Sequence, residues 1–183
     1  MNKILSFIIY PLHRLLMLIA KEPEQIVHDG CNWCKWQHVE YSAMNLCKIF
    51  IKFKEYRNLF YYRVGPAHHL LSWAFPGYDH LQITTPRGSI GGGLIIQHGF
   101  ATIISAERIG ENCKIYQQVT IGYNHALKAP MLGDNVEVCC GAKIIGGVTI
   151  GSNVIIGANA VVNKDVPDNC VVAGIPAKII KKL

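Results

Sequence analysis

The sequence predicts a mainly β protein: a parallel β-helix over residues 83–183, preceded by an α-helical region over residues 1–82. Three observations carry this reading. An aliphatic side chain returns every six residues in the C-terminal part, turn-forming residues keep the same phase, and helical spacing is confined to the N-terminal part.

The chain opens on MNKILSFIIYPLHRLLMLIA, an apolar stretch interrupted by Pro11, His13 and Arg14. A spanning helix needs about 20 uninterrupted apolar residues, and a signal peptide needs a cleaner apolar core and a small-residue cleavage site. The stretch therefore reads as a packed helix, with contact to a membrane surface as the less favoured alternative. Cys31 and Cys34 form a CxxC without a second pair, which disfavours a zinc or redox centre there. Further on, Leu46, Ile49, Phe50, Phe53, Tyr56, Leu59 and Phe60 share one helical face. Lys48, Lys52, Lys54 and Arg57 lie away from it and read as a solvated surface. Pro66 and the PGYDH stretch close this region near residue 82.

The repeat then begins. Ile90 and Ile96 lead it, Ile103, Ile109, Ile115 and Ile121 continue it, and Leu132 restarts it before Val138, Ile144, Ile150, Ile156 and Val162. A second small or aliphatic residue follows four positions after most anchors: Leu94, Cys113, Val119, Val136, Ala142, Val148, Val154, Ala160 and Val166. Two inward residues per hexad require the chain to turn a corner between them, so each hexad is one flat side of a coil. Gly110, Gly122, Gly133, Gly151 and Gly157 directly follow their anchors. Asn112, Asn135, Asn153 and Asn159 come next, where tight or positive-φ geometry suits them. Three hexads make a coil of roughly 18 residues with a rise of about 4.8 Å, so residues 84–166 supply four to five coils.

Two irregularities mark the binding side. From Ile96 to Ile103 the step is seven instead of six, a bulge at Gln97-His98-Gly99, and from Ile121 to Leu132 it is eleven, extruding the loop YNHALKAPM.

The net charge of +6 is spread through both halves without a basic stripe and interleaved aromatics. That argues against a nucleic-acid partner and for an anionic small ligand. Seven cysteines, including the adjacent Cys139 and Cys140 whose side chains point to opposite faces, indicate a reducing, cytoplasmic compartment.

IGGGLIIQHGFATII, QQVTIG, CCGAKIIGGVTIGSNVIIGANAVV and KDVPDNCVVAGIPAKII together resemble the hexapeptide-repeat acyltransferases, and among them the serine acetyltransferases and related sugar O-acetyltransferases, over residues 83–180. The resemblance implies a left-handed coil, a homotrimer with active sites in clefts between protomers, acetyl-coenzyme A as acyl donor, and no metal. Moving an acetyl group from a thioester to a hydroxyl requires a general base. His98 occupies an outward position beside the bulge, with Gly99 permitting close approach. An imidazole with an ordinary pKa of about 6.5 takes the hydroxyl proton and returns it to the leaving thiolate. His98 also matches the family's catalytic histidine.

The chain departs from the serine acetyltransferases at several points. Their DIHP is Ile83-Thr84-Thr85-Pro86, so the carboxylate that orients the base is missing there. Asp79 is the preferred replacement, with Glu107 as the other carboxylate close in sequence and a backbone carbonyl as a further alternative. Their Asp-His is Gln97-His98. Their Arg-His-Pro is Lys128-Ala129-Pro130, where Lys128 preserves a positive charge and His125 is a substitute from elsewhere in the loop. For the donor, the resemblance assigns pantetheine contacts to the backbone of Cys140, Gly141 and Ala158, and the nucleotide end to Lys164 and Lys178. Cys139 and Cys140 read as packing or backbone positions, not nucleophiles.

The resulting expectation is an acetyl-coenzyme A-dependent O-acetyltransferase. Because Gln97 and Ala129 replace groups suited to a free amino acid, a sugar or glycan hydroxyl stands slightly ahead of L-serine as acceptor. The rival readings are a β-helical zinc hydratase, which needs three converging histidines where the repeat has only His98 and His125, and a non-catalytic assembly scaffold.

Overall fold

The computed structural model of the chain describes residues 2–183, so Met1, the first residue of the apolar N-terminal stretch, lies outside the described residues. The chain divides into two compact units, Met1–Tyr78 and Asp79–Leu183. The second unit begins ahead of residue 83 because Leu81–Ile83 is already a strand, in parallel register with Thr102–Ile104.

The first unit is helical: α1 Asn2–Ile19, α2 Pro23–Trp36, α3 Ala43–Lys52, α4 Lys54–Val64, a 3₁₀ turn Gly65–His68 and the short α5 His69–Ser72. Helix α1 runs through Pro11 and buries Ser6, Ile9, His13, Leu16 and Met17. The His13 ring stacks on Phe60 at 4.8 Å and meets Phe50 edge-on at 5.4 Å. Burial, with Arg14 adding to it, pulls its pKa down to about 4, so the imidazole is neutral in the core. Ser42 caps α3, its hydroxyl accepting from the Asn45 amide at 3.1 Å.

The single helical face expected from Leu46 to Phe60 is two helices. Phe53 takes an extended conformation, φ −111° and ψ 115°, and ends α3 just before α4 starts. Leu46, Ile49, Phe50, Tyr56, Leu59 and Phe60 are buried all the same, since the break re-aims both apolar stripes into one core. Arg57, expected on the solvated face, is buried, its Nη1 donating to the Ile51 carbonyl at 3.3 Å. Arg63, wholly buried, donates to Glu22 at 2.5 Å and Asp29 at 2.9 Å. Two carboxylates thus hold one guanidinium that would otherwise be an uncompensated interior charge.

The second unit is a left-handed parallel β-helix. Its strands are β1 Leu81–Ile83, β2 Ile95–Ile96, β3 Thr102–Ile104, β4 Arg108–Ile109, β5 Lys114–Ile115, β6 Thr120–Gly122, β7 Met131–Leu132, β8 Glu137–Val138, β9 Lys143–Ile145, β10 Thr149–Ile150, β11 Val154–Ile156, β12 Val161–Val162, β13 Cys170–Ala173 and β14 Lys178–Lys182. They form three faces. The first stacks β1-β3-β6-β9-β12, the second β4-β7-β10, and the third β2-β5-β8-β11-β13, closed by antiparallel β14. Ile96, Ile115, Val138, Ile156 and Val172 lie in register up the third face. All five are buried.

One anchor differs from the sequence reading. Ile104, not Ile103, is the inward residue of β3, in register with Ile121, while Ile103 is 39% exposed. The bulge at His98 is therefore one residue longer than spacing suggested, and the next hexad is one shorter. Both Ile103 and Ile104 are isoleucine, so side-chain type could not separate them.

The turn residues behave as expected. Asn112, Asn135, Asn153 and Asn159 all have φ between 55° and 57°. At Gly110 the requirement is close approach, because a Cβ there would lie 2.5 Å from the Gly133 backbone of the next coil.

Candidate active site

The three faces meet at corners, and the candidate residues divide between two of them. The first corner carries the chain from the third face to the first. In successive coils it is built from the β2–β3 turn, the β5–β6 turn, the β8–β9 turn and the β11–β12 turn. Each contains at least one residue in the left-handed region: His98 (φ 64°), Gln118 (60°), Gly141 (72°) and Asn159 (56°). Backbone bonds tie the turns together, from Gln118 N to Phe100 O at 2.8 Å, Gly141 N to Gln117 O at 3.0 Å, and Asn159 N to Cys140 O at 2.9 Å. His98, Cys140, Gly141 and Ala158 therefore line one edge of the coil. Three coil steps separate the first from the last, about 14 Å at the usual strand spacing.

Along this edge the side chains are small or turned outward. At Gly141, where φ is 72°, a Cβ would come within 2.0 Å of Asn159 Oδ1, so a larger residue there must displace the Asn159 side chain. Ala158 is exposed, and Cys140 and Gly141 are half-buried. The Cys139 thiol is pushed up in pKa by burial, with Glu137 and Cys140 adding to it, which suits packing and not nucleophilic attack.

His98 is exposed, held by a turn in which Gly99 (φ 32°) and Ala101 (48°) are also left-handed. Its Nε2 lies 3.4 Å from Nε2 of Gln97. Asp79 is exposed and forms no hydrogen bond or ion pair with His98. The segment is nevertheless close to the turn, for the next residue, His80, sets its ring edge-on against Phe100 at 5.2 Å. At the DIHP-like position, Thr84 Oγ1 hydrogen-bonds Ser105 Oγ, while Thr85 Oγ1 accepts from Ala106 N at 2.9 Å. These threonines bind the first coil to the next.

The second corner carries the chain from the first face to the second. Here the long loop after β6 leaves a cleft of about 460 Å³ lined by Pro86, Ala106, Glu107, Tyr123, Leu127, Lys128, Ala129, Met131 and Gly147. Asn124 shapes the loop, its Oδ1 accepting from Ala126 N at 3.0 Å and Lys128 N at 3.2 Å. The Lys128 stem lies so close over Gly147 that a Cβ there would come within 2.9 Å of it. Glu107 is fixed by its amide, which donates to Pro130 O at 2.8 Å. Glu107 and Lys128 are the charged residues of the lining, and neither forms an ion pair among the described residues.

His125 is exposed in the loop and does not line the cleft. Lys164 follows β12 on this same second corner, away from the Cys140 edge. Lys178 opens β14 opposite Ala173, at the end of the first corner, where Ala177 N donates to Val161 O at 2.8 Å. By sequence Glu107 is only a neighbour of His98, and nothing in its spacing places it in one cleft with Lys128. The signal was the register of β4 with β7, which sets Arg108 against Met131 and so Glu107 near the end of the loop. No three His, Cys, Asp or Glu side chains converge as a metal site among the described residues.

Residues 129–164 match the family model described as bacterial transferase hexapeptide (six repeats). The serine acetyltransferase of Staphylococcus xylosus is 45% identical over 101 residues, covering 53% of this chain and 47% of the relative. The chain spans about half the length of the curated relatives it matches. The crystal structure of serine acetyltransferase from Brucella abortus shares the fold, with a TM-score of 0.69 and 24% identity over 87% of this chain and 68% of that one. The Neisseria gonorrhoeae serine acetyltransferase in complex with serine has a TM-score of 0.67 and 25% identity, covering 86% and 69%. The chain thus carries a bacterial transferase hexapeptide repeat over residues 129–164 and resembles serine acetyltransferases over about half its length. These relatives give no support to a sugar or glycan acceptor and agree better with the serine alternative.

Proposed function

We propose that the chain is an O-acetyltransferase that moves an acetyl group from acetyl-coenzyme A to the hydroxyl of serine. The observation that carries the acceptor is the cleft with Glu107 and Lys128, two opposite charges without ion-pair partners in a lining that is otherwise uncharged. A free amino acid presents a carboxylate and an ammonium. Lys128 answers the first and Glu107 the second, whereas a neutral sugar uses neither charge. The sugar preference rested on the loss of charged groups at Gln97 and Ala129, and Glu107 supplies a carboxylate from a different turn.

In this reading His98 accepts the serine hydroxyl proton as the oxygen attacks the thioester carbonyl. The tetrahedral adduct then expels the coenzyme thiolate, which takes the proton back from the imidazolium. The pantetheine arm runs along the first corner, where Gly141 and Ala158 leave the backbone accessible, and Lys178 stands at the nucleotide end. Lys164, on the other corner, serves the nucleotide only from a neighbouring copy. His98 and the Glu107–Lys128 cleft likewise occupy different corners, which supports a trimer in which one protomer's base faces its neighbour's cleft. Seven free cysteines agree with a reducing cytoplasm.

A thiol-release assay with acetyl-coenzyme A tests the proposal, offering serine, homoserine and a panel of sugars. Serine turnover with sugars inert is the expected result. Sugar turnover with serine inert overturns it.

A further inference from the structure

Helix α1 has a second face that the helical unit leaves open. Phe7 and Ile8 are each 69% exposed, Leu18 71%, and Leu15 and Ile19 48%. With exposed Pro11 between them, their spacing traces one continuous stripe along the helix, opposite the buried Ser6, Ile9, His13 and Leu16. Single exposed apolar side chains are ordinary. Five large ones on one helix face mark a surface that something covers.

Charge decides what covers it. Residues 1–21 contain Lys3, Arg14 and Lys21 and no acidic residue. The first carboxylate after them, Glu22, is buried against Arg63. A second copy of this segment brings the same net positive charge and no compensating carboxylate, whereas an anionic bilayer surface neutralises that charge while its acyl boundary takes up the apolar groups. No helix among the described residues is long and apolar enough to cross a membrane, which leaves α1 the geometry of a helix lying in the interface. In the same unit Leu70 and Trp73, 50% and 83% exposed, follow the 3₁₀ turn that packs on α1. Indole is well suited to headgroup depth.

We infer that α1 docks the protein on an anionic membrane surface through Phe7, Ile8, Leu15, Leu18 and Ile19. The inference is independent of the acetyl-transfer reading. The full chain should co-sediment with phosphatidylcholine vesicles containing phosphatidylglycerol, weakly with phosphatidylcholine alone, and less as salt is raised. Phe7→Ser with Leu18→Ser, both at exposed positions, should weaken binding about tenfold or more. Arg14→Gln should weaken it about fivefold. Failure of the unaltered chain to bind the anionic vesicles overturns the inference and needs no variant to fold. So does binding that the double substitution leaves unchanged. A larger oligomer that the same substitution breaks apart, without vesicle binding, assigns the stripe to a second copy instead.

Discussion

Replacing Glu107 by glutamine keeps the shape of the cleft and removes one charge from it. Two unit charges about 4 Å apart in a partly exposed setting attract by about 4 kcal/mol at an effective dielectric near 20. Glu107 is exposed and hydrated before serine arrives, so the net contribution is that of a charged hydrogen bond, about 1.5 to 3 kcal/mol. The expected loss is about 10- to 150-fold in kcat/KM for serine. Because the ammonium is bound equally in ground and transition states, the loss should appear in KM with kcat little changed. An acceptor with the same hydroxyl and carboxylate but no amine, 3-hydroxypropionate, should be a poor substrate of the unaltered enzyme and should gain relative to serine in the variant. Thiol release under steady-state conditions measures both. Serine turnover with an unchanged KM in Glu107→Gln would refute the role of Glu107 while leaving the acceptor intact; absence of serine turnover in the unaltered protein would remove the acceptor itself.

His98→Ala should lower turnover about 10²- to 10⁴-fold with coenzyme A binding and the folded state retained, as read by calorimetry and circular dichroism; activity within tenfold of the parent would count against the base. Gly141→Ala places a methyl group against Asn159 at a left-handed position and should lower stability by about 1 to 3 kcal/mol in urea unfolding, with weakened coenzyme binding. His13 has a folded pKa of about 4 against an ordinary 6.5, so the unfolded chain binds more protons in that window. Stability should be full above pH 6.5 and fall by roughly 3 kcal/mol as the pH drops to about 4, at about 1.4 kcal/mol per unit. A His13→Phe variant should flatten that dependence, and an unchanged slope would place its origin elsewhere.

The β-helix was legible because its core is a one-dimensional pattern. Each coil repeats the same inward positions, so Ile115, Val138 and Ile156 declare themselves by spacing alone, and the asparagines at the corners declare the turns. Where the pattern is broken, spacing loses its power. At the His98 bulge two isoleucines compete for one inward place, and hydrogen-bond register in the coil chooses Ile104 over Ile103. In the helical unit the apolar spacing from Leu46 to Phe60 identified the core but not the break at Phe53, because a bent pair of helices and one straight helix can bury the same residues. Arg57 was misplaced for the same reason.

The candidate site divides along the same line. His98 could be singled out from sequence, since an outward histidine beside a bulge is a local feature, and the small residues at Cys140, Gly141 and Ala158 follow from the repeat. The sequence by itself thus determined the coil, its corners and the outward place of His98 beside the bulge, because these depend on neighbours six residues away. Only the tertiary structure decided that Glu107 and Lys128 line one cleft, that Asp79 makes no bond to His98, and that Lys164 stands on a different corner from Cys140. Those relations join residues whole coils apart across an inserted loop, and their geometry is set by strand register and loop packing, which no spacing within a single hexad encodes.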